Sequence, residues 1–203
     1  MALNFANNNS LSAITAKPSG LSGGSMNLIS TQTASSSSTI SFTSGIDSTY
    51  DEYVFKWINC HPATNSVTFQ MNVSIDGGSN YNVAKTTTAF DAYHYENDSG
   101  AALQYLGSYD LAQGTGFQPI DFCSNQNDQS SCGTLQLYNP SSTTFVKHFI
   151  STAQDAWVDG SAGVSQNFFT AGYANTTSAV NAVQFKFSSG NIDSGVIKLY
   201  GVS

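Results

Sequence analysis

"SVTFQMNVSID", residues 66–76, decides the fold. Val67, Phe69, Met71, Val73 and Ile75 occupy every second position, with Thr68, Gln70, Asn72 and Ser74 between them. A period of two places the apolar set on one face and the polar set on the other, which predicts a half-buried antiparallel strand.

The same rhythm recurs on both sides of this stretch. It predicts strands at 38–44, 52–59, 82–88 and 90–96, then at 133–139, 143–151, 167–174, 182–189 and 195–202. Turn signals separate them: "HPATN", "DGGSN", "NPSS", "NTTS" and "SGNIDSG". No segment carries a helical period. The expectation is an all-β chain, an antiparallel β-sandwich of jelly-roll kind over residues 27–203, with an immunoglobulin-like sandwich as the alternative.

Residues 1–26 read differently. Leu3, Phe5, Leu11, Ile14 and Leu21 stand singly among Asn, Ser and Gly, and Gly20, Gly23 and Gly24 oppose a helix. The default for such a segment is a disordered tail. The reading carried forward is an extended N-terminal arm lying on a partner subunit, with those five apolar residues as its contacts.

Composition narrows function. Only 9 % of the 203 residues are charged, against about a quarter in ordinary domains, so hydroxyls and amides must cover the surface. The six basic residues are all lysines and the net charge is −7. Nucleic-acid affinity rests on many Lys and Arg contacts to phosphate, so nucleic acid is not expected as a partner. Bidentate arginine clamps on carboxylates are ruled out, and anionic membranes would repel the chain. The opening "MALNFANNNSLSAITAKPSG" has neither a basic n-region nor a continuous apolar h-region, so Sec export is not expected and synthesis in the host cytoplasm is. The odd cysteine count (Cys60, Cys123, Cys132) favours free, partly buried thiols over a bridge closing "CSNQNDQSSC".

The residues that could carry chemistry are scattered. "SIDGGSNYN", residues 74–82, resembles the Asp-box of sialidases. It occurs once, however, and a sialidase would need an arginine cluster; Asp76-Gly77-Gly78 is therefore read as a hairpin turn. His61, His94 and His148 share no metal-ligand spacing. Asp91 with Glu96, or Asp155 with Asp159, would supply the carboxylate pair of a glycoside hydrolase only if the fold set their separation. "NQNDQ" (125–129) and "DAWVDG" (155–160) lack the ligand density of a calcium loop. No catalytic, cofactor or metal residue is assigned. Trp157, in the loop-like "DAWVDGSAGVS", is the candidate for an exposed partner contact.

From about residue 29 the chain resembles a group of small virion-associated proteins of tailed bacteriophages, particularly marine ones. The likeness is carried by "ISTQTASSSSTISFTSGIDSTYDEYVF", "SIDGGSNYNV", "YNPSSTTFVKHF" and, most specifically, the closing "GNIDSGVIKLYGV". It implies a non-enzymatic particle component. The expectation is a capsid decoration (cement) protein on the outer surface of the head, bound to the major capsid protein or other virion subunits and forming homo-oligomers, trimers in this reading. The alternative is a tail fibre or receptor-binding module recognising host glycans.

Overall fold

The computed structural model describes residues 26–160 and 162–202. Thirteen strands run in chain order: β1 (Met26–Ser37), β2 (Ile40–Phe42), β3 (Glu52–Pro62), β4 (Val67–Ser74), β5 (Lys85–Tyr95), β6 (Ala101–Tyr105), β7 (Ala112–Gly114), β8 (Gln118–Cys123), β9 (Ser131–Tyr138), β10 (Lys147–Asp159), β11 (Ala162–Ala174), β12 (Ala182–Phe187) and β13 (Ile192–Val202). The large sheet has the order β1-β13-β3-β9-β10-β11-β5-β6, with β7 also paired to β5. The small sheet has the order β2-β12-β4-β8. Every pairing is antiparallel. The chain is an antiparallel β-sandwich, as the alternation predicted.

Its core is the inner face of both sheets. Phe42, Phe55, Trp57, Phe69 and Phe185 meet there, with the Phe185 ring centred 6.3 Å from Phe42, 5.4 Å from Phe55, 6.5 Å from Trp57 and 5.8 Å from Phe69. Register makes the cluster. Val73, Met71 and Phe69 of β4 stand opposite Val183, Phe185 and Phe187 of β12, so the apolar phases of the two strands coincide.

Four expectations are corrected. The first is β4, which is buried on both faces rather than half-buried. Its Asn72 carboxamide donates to the carbonyls of Tyr81 (2.6 Å), Thr115 (3.1 Å) and Gly116 (3.3 Å) and accepts from the Lys85 ammonium at 2.6 Å. Connecting segments thus roof the polar face. Ile75 falls outside the strand and is exposed. The second is the turn at Asp76, which is no hairpin, because β4 and β5 belong to different sheets. Asp76 accepts from Ser74 Oγ, Asn80 N and Asn80 Nδ2 at 2.6–2.9 Å. Positive φ at Gly77 (72°) and Gly78 (90°) lets the chain cross to the other sheet. Its hydrogen bonds, that of Ser74 first, hold the Asp76 carboxyl down to about 2.

The third correction joins the predicted strands 82–88 and 90–96 into the single β5. The fourth concerns "DAWVDGSAGVS", which is no loop but the end of the long β10–β11 hairpin, paired from Lys147↔Ala174 to Asp159↔Ala162. β1, β6, β7 and β8 were not anticipated from alternation. Met26 already pairs with Val202, so β1 begins one residue ahead of the expected domain boundary.

Candidate functional site

Strand parity explains how an acidic cluster comes to lie inside this sandwich. On β10 the inward phase runs Phe149, Ser151, Ala153, Asp155, Trp157; on β11 it runs Val164, Gln166, Phe168, Thr170; on β5 it runs Thr87, Ala89, Asp91. Register then aligns these strands, with Asp155 opposite Gln166 and Asp91 opposite Phe168, one inward step from Gln166. Asp121 arrives from β8, the edge strand of the small sheet, within the wholly apolar neighbours Pro119, Ile120 and Phe122. Asp91, Asp121 and Asp155 are all buried.

Asp121 and Asp155 are within hydrogen-bond reach of each other. Two carboxylates have no donor to offer one another, and a retained proton converts one of them into a donor. Both carboxyls are pushed above the ordinary range, chiefly by burial, and Asp155 further by the negative charge of Asp121. The Ser131 hydroxyl donates to Asp121 Oδ2 and accepts from Trp57 Nε1 at 2.7 Å, which ties the pair to the aromatic core. Burial also raises the nearby thiols, Cys60 to about 12 and Cys123 well above its usual value. All three cysteines are free.

Beside this pair is a cleft of about 190 Å³, lined by Asp91, Gln104, Leu106, Tyr109, Phe122, Trp157 and Gln166. It lies between Phe122 of β8 and residues of β5, β6, β10 and β11 of the large sheet. Of the three buried acids only Asp91 lines it. Asp91 Oδ2 accepts from Gln166 Nε2 and, at 3.5 Å, from Gln104 Nε2. Asp91 Oδ1, Gln166 Oε1 and Trp157 Nε1 have no hydrogen-bond partner within the described protein. Trp157 is half-buried, edge-on to Phe122 with centroids 5.2 Å apart. It is a half-buried cleft wall on a strand, where an exposed loop side chain was expected.

The carboxylate pairs expected from sequence do not form. Asp91 points inward while Glu96 lies past the end of β5 and is exposed. Asp155 pairs with Gln166 and Asp159 with Ala162, four residues further along the hairpin. The pair that does form, Asp121 with Asp155, was missed. Its signal is an acid on the apolar phase of a strand, as in Pro119-Ile120-Asp121-Phe122-Cys123.

The histidines stay apart. His61 faces Asp193 (3.7 Å) across β3 and β13, His94 meets Asp98 (3.1 Å), and His148 packs on Tyr173. Among the described residues no three His, Cys, Asp or Glu side chains are grouped to hold a metal ion. Leu3, Phe5, Leu11, Ile14 and Leu21 lie outside the described residues.

A second surface feature is larger. The outward phase of β6, β5, β11 and β10 presents Leu103, Tyr105, Phe90, Phe169, Ala171, Tyr173, Ile150 and His148 among threonines and amides. Over the paired length of these strands, no Asp, Glu or Lys among the described residues points outward. Leu103 is 73 % exposed and Tyr105 60 %. Phe90 stacks on Phe169 across the strands at 4.8 Å. No family model, curated protein or solved structure matches this chain.

Proposed function

We propose that this chain is a non-enzymatic virion structural protein, a capsid decoration subunit that binds the outer surface of the major capsid lattice and stabilises the head. One observation carries the reading: the uncharged, aromatic outer face of β6, β5, β11 and β10. Contiguous exposed apolar surface on a soluble domain marks an interaction site. A flat sheet face without formal charge suits neighbours packed side by side, where each buried unpaired charge would cost several kcal/mol. Among the described strands, β1 and β6 are the outermost of the large sheet, and sheet edges are places where a homo-oligomer can add strands. The acidic balance suits an outer position, away from packaged DNA.

The alternative placement, a tail module recognising host glycans, is favoured by one feature, the aromatic walls Trp157 and Tyr109 of the cleft beside β8.

Residues 1–25, which precede β1, are proposed as the second grip. Heads lacking this subunit, incubated with purified full-length chain and sedimented, are expected to carry it at saturating occupancy. A chain deleted for 1–25, which leaves β1 from Met26 intact and the melting curve unchanged, is expected to remain in the supernatant. Equal occupancy by both would remove the arm from the account.

A further inference from the structure

We infer that the cleft between β8 and the large sheet is a binding site for a single sugar ring. The inference holds for a head-borne or a tail-borne subunit alike. It begins with three polar groups that the fold buries around one small space. Asp91 is 1 % exposed and Gln166 7 %, and both line the cleft. Asp91 Oδ1 and Gln166 Oε1 are acceptors without a donor, and the Trp157 indole N–H is a donor without an acceptor. Buried polar groups of native proteins are paired as a rule, and exceptions gather where a ligand or water completes them.

The mixture of groups selects the ligand. A metal ion would satisfy the two oxygens but be repelled by the indole N–H. An alkylammonium would donate to the oxygens and leave the indole unanswered. A hydroxyl both donates and accepts, so neighbouring hydroxyls on one ring can donate to Asp91 and Gln166 and accept from Trp157. The remaining walls are Leu106, Tyr109 and Phe122, apolar surface suited to the C–H faces of a pyranose. Tyr109 is fixed against Phe168, with ring centroids 5.7 Å apart, and its carbonyl accepts from Gln118 Nε2 at 2.8 Å. That wall is therefore held in place before a ligand arrives. At about 190 Å³ the space suits one ring, with further residues of a glycan leaving past the exposed Gln104.

The test uses the full chain and the methyl glycosides of glucose, galactose, mannose and N-acetylglucosamine, followed by ligand-observed NMR. At least one is expected to bind saturably with a dissociation constant of roughly 1 mM. Gln166→Ala and Trp157→Phe, which each remove one partner, are expected to weaken it about tenfold. Gln104→Ala, at an exposed position, gives a variant whose folding is not in question and should weaken it about threefold. Calcium chloride is titrated in parallel. No saturable binding of any glycoside, binding unaltered in all three variants, or binding of calcium alone would each overturn the inference.

Discussion

Phe185→Ala is expected to destabilise the fold by about 3–5 kcal/mol, the range for removing a buried aromatic ring from a core that cannot close over the gap. The ring lies between the sheets and touches four others, Phe42 and Phe55 on one side and Trp57 and Phe69 on the other. Each partner comes from a different strand or sheet position, so collapse around the cavity would have to move β2, β3 and β4 together. Aromatic contacts add about 0.5–1.5 kcal/mol beyond area burial for each well-placed pair. Urea unfolding of the variant, read against the parent, measures the loss. A change below about 1 kcal/mol would mean that the two sheets are not joined through this cluster.

The second large effect is on pH dependence. Asp121 and Asp155 keep a proton in the folded state that the unfolded chain releases in the ordinary carboxylate range. A carboxyl raised by folding contributes stability that is complete below its unfolded pKa and is lost as pH rises from there. The slope is about 1.4 kcal/mol per pH unit for each proton so held. Asp155→Asn replaces the titrating group with a neutral one that donates to Asp121 at every pH. The parent is expected to lose stability relative to Asp155→Asn as pH rises from about 4 to 8, with the variant the more stable at pH 8. Asp76 acts in the opposite sense, since its lowered carboxyl contributes stability that is lost as pH falls from about 4 toward 2. It is present in both proteins and cancels in the difference. A parent that gains on the variant between pH 4 and 8 would show that the pair is ionised and that the burial argument fails.

The sandwich was legible because alternation reports burial directly. β12 and β13 carry it clearly, and each lies where the period placed it. β1 was not legible because its run of Ser and Thr has no apolar phase, and it forms by pairing with β13 along its whole length. β8 was hidden for the opposite reason. Gln118, Pro119, Ile120 and Asp121 are all buried, so no alternation survives. Trp157 was misplaced because Gly and Ser near 160 read as a loop, whereas a tight turn needs only Gly160, at φ 63°, to join two long strands. The cleft could not be read at all. Its residues come from β5, β6, β8, β10, β11 and the β6–β7 connection (Leu106, Tyr109), and they meet only through the tertiary fold, which no local spacing encodes.

A reconstruction of the intact particle at side-chain resolution decides whether this chain is a head-bound subunit. Density for this sandwich is expected on the outside of the head, with Leu103, Tyr105, Phe90 and Phe169 covered by neighbouring subunits and residues 1–25 running along the shell. A head without this chain, or a bound chain whose β6–β5–β11–β10 face is bare to solvent, would contradict it.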